Sequence, residues 1–133
     1  MISFSTSVKN ARLAAIAGAI DAGDSPASFV VYSGTRPSPG AAVTDQVALA
    51  TLEVPQPFAA DLSGGVLTGA AFEEVMADAD GEATWARLVD GEGGWVMDLD
   101  VGIEGSGADV TISSTTIYRG ILTRISRMIF AEG

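Results

Sequence analysis

The sequence predicts a mainly β fold, an antiparallel β-sandwich of jelly-roll-like or related barrel type, preceded by one N-terminal α-helix. Three observations carry this. Short apolar runs with a period of two recur from Ser28 onward, glycine and proline interrupt them at short intervals, and only the first two dozen residues show helical spacing. The chain has 133 residues, 16 of them glycine, with 47 % hydrophobic and 18 % charged residues, the composition of a folded, turn-rich chain with one core. Residues 1–24 are expected to form an arm and helix, and residues 25–133 the sandwich, within a single domain.

In "STSVKNARLAAIAGAIDAGDSP", Val8, Leu13, Ile16, Ala17 and Ile20 fall on one helical stripe, a serine or threonine at 5 to 7 can cap the start, and Gly23 with Pro26 supplies the stop. The spacing predicts a helix over about residues 7 to 22. It could pack on its own sheet or on a neighbour's; as a removable anchor it would leave a folded β domain when residues 1 to 22 are deleted. Ahead of it, Ile2 and Phe4 alternate in a short apolar tag.

"SFVVY" and "QVALATLEV" read as strands, separated by the loop "TRPSPGAA" and closed by Pro55 and Pro57. A short strand is expected at Val66 to Thr68, and another over Ala70 to Met76. "EATWARLVD" and "GWVMDLDVGI" form a hairpin across a glycine-rich loop. Its second strand is expected to bury Trp95, Met97, Leu99 and Val101 and to turn Asp98 and Asp100 to solvent. "ADVTISS" adds a short strand with Val110 and Ile112 on one side. "ILTRISRMIF" is apolar on both faces and predicts a long final strand, central or covered on both sides.

Chemistry is limited by what is missing. Without histidine or cysteine there is no Ser–His pair, thiolate nucleophile, imidazole or thiolate metal site, or disulfide. "DADGEA", Asp78 to Ala83, has the Asp-x-Asp-Gly beginning of a calcium loop, but its glycine is fourth where the helix–loop–helix calcium site needs it sixth. It reads as a polar turn. Asp98 and Asp100 lack the second carboxylate cluster that a hydrolase would need. "SGG" and "GSG" lack the lysine and helix of a phosphate loop and read as turns. Trp85 and Trp95 are read as core residues, with sugar-stacking platforms as the other possibility. No catalytic residue, cofactor or metal is expected.

The net charge of −10 is a poor match to nucleic acid. Acids dominate from Glu73 to Asp109, where Arg87 is the only base, while Lys9, Arg12 and Arg36 lie early and Arg119, Arg124 and Arg127 late. No apolar run is long enough to span a membrane, and Lys9 and Arg12 sit inside the periodic segment instead of ahead of an apolar core, unlike a secretory signal. A soluble protein made in the cytoplasm is expected.

The chain resembles the small structural proteins of tailed bacteriophages. The likeness lies in "STSVKNARLAAIAGAIDAG" with Asn10 to Leu13, in "FVVYSGTRPSPGAAV" with Gly34 to Pro37, and in "ALATLEVPQPFAADLSGGVLT". It continues through the Gly-x-Ala-x-Trp-x-Arg hairpin from Gly81, the turn Gly105 to Asp109 and the step Ser114 to Ile117. Arg119, Arg124 and Arg127 depart from it by making the last segment more basic than the expected Ser/Thr-rich pattern. The resemblance implies a many-copy virion component, made in the host cytoplasm and placed on the capsid surface. There it would act as a cement or decoration protein, a homo-oligomer (dimer or trimer) that binds and stabilises the lattice of the major capsid protein. The expected contacts are Ile2, Phe4, Val8, Lys9, Arg12, Arg119, Arg124 and Arg127, with the acidic middle facing solvent. A tail, baseplate or fibre-hub component, and a carbohydrate-binding module using Trp85, Trp95 or Tyr118, are the alternative readings.

Overall fold

The computed structural model describes residues 2–125 and 128–131. Helix α1 (Thr6–Ile20) begins where Ser5, extended at φ −66° and ψ 157°, accepts a hydrogen bond from the Val8 N–H at 3.2 Å. It ends two residues before the expected stop because Asp21 is used elsewhere: its carboxylate accepts the Phe58 N–H at 3.0 Å and its carbonyl accepts Gln56 Nε2 at 3.1 Å. Leu13, Ala17 and Ile20 are buried, a stripe at i, i+4 and i+7, whereas Val8 stays exposed. The stripe lies against the chain's own β structure, and Asn10 Oδ1 ties the first half of the helix to the Gly65 N–H at 2.8 Å. Deleting residues 1 to 22 would therefore strip core residues, and the expected clean removal of an anchor does not hold.

The protein is mainly β, with this one helix in front. A five-stranded sheet has the order β2 (Ala48–Glu53), β1 (Ser28–Tyr32), β7 (Trp85–Val89), β8 (Trp95–Ile103), β9 (Val110–Ile112). A three-stranded sheet pairs β12 (Ile129–Ala131), β4 (Val66–Gly69) and β3 (Ala59–Ser63). Two short ladders pair β10 (Thr116–Ile117) with β6 (Gly81–Glu82), and β11 (Leu122–Thr123) with β5 (Val75–Met76). In the centre of the large sheet Phe29 pairs with Leu52 on one side and Leu88 on the other. These join Leu13, Ile20, Phe58 and Leu67 in one buried cluster, so helix and both larger sheets share a core.

The β7–β8 hairpin is antiparallel as the sequence predicts, with Ala86 opposite Leu99 and Leu88 opposite Met97. Its loop is closed by the Asp90 carboxylate, which accepts the Glu92 and Gly94 N–H groups at 2.9 and 2.8 Å. β9, by contrast, runs parallel to β8, with Val101 opposite Val110 and Ile103 opposite Ile112. Gly105 and Gly107, at φ +84° and +83°, fold the chain back, and Asp109 anchors the return by accepting the Asp100 N–H at 2.9 Å.

Other expectations are corrected. The strand expected over Ala70 to Met76 is reduced to Val75–Met76, and Ala59–Ser63, assigned to no element from the sequence, is a strand because the Gly64–Gly65 turn folds it onto β4. The long final strand is broken: Leu122–Thr123 pair with β5, Ile125 bridges Ile112, and Ile129–Ala131 pair with β4. Passing between three partners, it buries Thr123, Ile125 and Met128 but leaves Ile121, Leu122 and Ile129 exposed. It is not covered on both faces.

Two glycines separate space from strain. Nothing lies within 4 Å of a Cβ built on helical Gly18, so Gly18→Ala is expected to raise unfolding free energy by about 0.5–1 kcal/mol. A Cβ on Gly91 would collide with the Ser25 carbonyl, so Gly91→Ala is expected to lower it by about 1–3 kcal/mol. Urea titration of both variants checks the pair.

Candidate interaction surfaces

Asp98 does not face solvent. Its side chain is 1 % exposed and forms a two-point ion pair with Arg87 across the hairpin, Nε to Oδ1 at 2.7 Å and Nη2 to Oδ2 at 3.1 Å. Arg87 Nη1 also donates to the Ala41 carbonyl at 2.8 Å, and its guanidinium lies 5.3 Å from the Trp85 ring. Trp95 Nε1 and the Gly40 N–H donate to the same carboxylate at 3.1 and 3.3 Å. The two chain neighbours thus gain different roles: Asp100 stays on the surface and meets Arg36 at 2.9 Å. Burial pushes the Asp98 carboxyl up, and the hydrogen bonds from Arg87, Trp95 and Gly40 with the Arg87 charge more than reverse that, leaving it below the usual aspartate value.

This centre is a structural tie. It clamps the loop from Arg36 to Ala41 onto β7 and β8. Gly40, at φ +73°, lets the Trp95 ring approach so closely that a side chain there would overlap it. Trp85 is buried, stacks on Tyr32 with centroids 4.5 Å apart, and donates from Nε1 to the Ser33 carbonyl at 3.3 Å. Trp95, read from the sequence as core, is 48 % exposed: a β-bulge between Leu88 and Val89 alters the register where it sits.

The expected contact residues divide into two places. Ile2, Phe4 and Val8 are exposed, Ile2 at 80 %, with Lys9 half-buried beside them, and Arg12 stacks 5.0 Å from the Phe4 ring. Arg119 and Arg124 are exposed far along the chain; the Arg119 N–H donates to Asp80 at 2.6 Å, and Arg124 is paired with Glu74. Arg127 lies outside the described residues.

Sequence reading missed the apolar group that accompanies the late arginines. Met76 and Leu122 are cross-strand partners and are 66 % and 57 % exposed, and Ile121 and Tyr118 stand beside them, Tyr118 at 61 %. Gly120, at φ +83°, makes the turn that presents this group, with its N–H on the Ala77 carbonyl at 2.9 Å. The signal was present in "IYRGIL", a glycine between apolar residues, but the even alternation after it suggested a covered strand.

An open groove of about 550 Å³ lies near the C-terminal end of α1. Pro26, Val54 and Val75 give it an apolar lining, and Glu53, Glu73 and Glu74 border it. The "DADGEA" turn is used internally: Asp80 holds the Arg119 N–H, and Glu82 accepts the Thr115 and Thr116 hydroxyls at 2.6 and 3.1 Å. Among the described residues no group of three or more carboxylates is arranged to hold a metal ion, and no helix is long and apolar enough to cross a membrane. No protein-family model, curated protein or solved structure matches the chain.

Because the folded Asp98 pKa is depressed, its contribution to stability is present above the unfolded value, about 3.9, and is lost as pH falls through the lower folded value. Asp98→Asn is expected to cost about 3 kcal/mol at neutral pH, by leaving Arg87 buried without its counter-charge. The loss should shrink in acid below the unfolded value, which denaturant melts at several pH values would register.

Proposed function

We propose that this chain is a structural component of a tailed-phage virion, a cement or decoration protein that binds the outer lattice of the major capsid protein and reinforces it. The observation that carries the reading is the exposed apolar group Met76, Tyr118, Ile121 and Leu122 beside Arg119 and Arg124, on a fold whose buried charge pair, Arg87 with Asp98, is an internal tie. A contiguous apolar patch with a charged rim is the usual form of a protein contact surface. The resemblance in the hairpin and in the Gly105 to Asp109 turn supports the phage setting.

The mechanism is mass action. A protein that binds the assembled shell and not its separated subunits stabilises the shell by the free energy of binding, and many copies multiply the effect. The N-terminal segment, with Ile2, Phe4 and Val8 outward, is the second contact surface. A sugar-binding reading has Trp95 and Tyr118 but loses Trp85, which the core consumes.

Cryo-electron microscopy of the intact virion tests the reading. Regular copies across the head lattice are expected; density confined to the tail or its tip would move the protein to a baseplate or fibre hub. In heads stripped of this protein, rebinding by the Tyr118→Ala/Leu122→Ser variant should be weaker by at least about tenfold, at near-unchanged stability because both side chains are exposed. Wild-type affinity of that variant would remove the patch from the contact.

A further inference from the structure

We infer that copies of this chain associate head to tail, the N-terminal segment Ile2 to Arg12 of one copy seating in the groove bordered by Glu53, Glu73 and Glu74 on the next. The inference rests on the many-copy reading proposed above and names the partner of the N-terminal segment.

Charge complementarity selects the occupant. The groove has an apolar lining and three carboxylates at its border, of which Glu74 is met by Arg124. It calls for a segment that is both apolar and basic. The chain as a whole carries a net charge of −10, so most of a second copy's surface would be repelled there. The first 20 residues are different: they contain Lys9 and Arg12 and no acid. Ile2 and Phe4 are exposed apolar side chains and suit the apolar lining. Lys9, in the first turns of α1, supplies a positive charge that suits the glutamates.

Geometry makes the contact intermolecular. The groove adjoins the C-terminal end of α1, where Gln56 in its wall is bonded to the Asp21 carbonyl at 3.1 Å. The apolar tag leaves from the opposite end. The 15 residues of α1 span about 22 Å, and the four residues Ile2 to Ser5 reach at most about 14 Å even when fully extended. A chain's own tag therefore cannot enter its own groove, and another copy's can. Because the two surfaces differ, each copy offers one of each, and repetition closes a ring or extends a filament according to the rotation between neighbours.

Complementation tests this. An Ile2→Ser/Phe4→Ser variant lacks the tag's side chains and keeps the groove; a Glu53→Lys/Glu73→Lys variant keeps the tag and reverses the groove. All four side chains are exposed, and circular dichroism checks that both variants fold. By light scattering after gel filtration, the wild type is expected above monomer mass, each variant at monomer mass, and an equimolar mixture as a one-to-one dimer and nothing larger. A monomeric wild type, a variant that keeps the wild-type mass, or a mixture without dimer overturns the head-to-tail contact. Rebinding to stripped heads separates this from the lattice reading: a wild type that is monomeric but binds heads overturns only the contact between copies, and one that assembles but does not bind heads overturns only the lattice reading.

Discussion

The seating of α1 is the constraint on which much of the rest depends. A chain without cysteine has packing and hydrogen bonds to hold its sheets together, and here the helix supplies Leu13, Ala17 and Ile20 to the common core. Polar ties set its position at both ends, Asn10 to the Gly65 N–H and Asp21 to the Phe58 N–H. Both reach backbone groups of the β3–β4 region, so the helix is tied to the three-stranded sheet. The same seating places the apolar tag at one end of the helix and the acidic groove near the other.

The hairpin is organised by a different kind of interaction. Pairing Arg87 with Asp98 on adjacent strands takes both charges out of water, a cost that is offset because each is given further partners: the Ala41 carbonyl and Trp85 ring for the guanidinium, Trp95 and Gly40 for the carboxylate. What results is a loop held in one position against the sheet. This accounts for charged residues in the middle of an apolar hairpin.

Surface character follows from these two arrangements. Once the helix and the large sheet have claimed their apolar faces, exposed apolar residues remain at the tag (Ile2, Phe4, Val8), at and next to the β5–β11 ladder (Met76, Tyr118, Ile121, Leu122) and singly at Val47, Trp95, Ile103 and Ile129; the first two groups are accompanied by bases in a strongly acidic molecule. A protein that acts by being held between neighbours needs such surfaces more than it needs a cleft. Their separation along the chain suits the two contacts proposed above, one with a shell and one with a second copy.

The helix, the two halves of the hairpin and the glycine turns were legible in the sequence because each depends on residues close in the chain: a stripe at i, i+4 and i+7, a period of two, and glycines with positive φ at Gly23 and Gly105. Tertiary structure alone decided the rest. Asp98 and Asp100 are identical side chains on the same strand, yet the first is buried because Arg87 stands opposite and Trp95 and Gly40 close over it, while the second stays exposed and meets the half-buried Arg36. "ILTRISRMIF" alternates evenly but is split among three partners, and whether an apolar residue there is core or contact surface depends on which strand it meets. Local periodicity specifies which side chains share a face; only the long-range pairing specifies what that face is covered by.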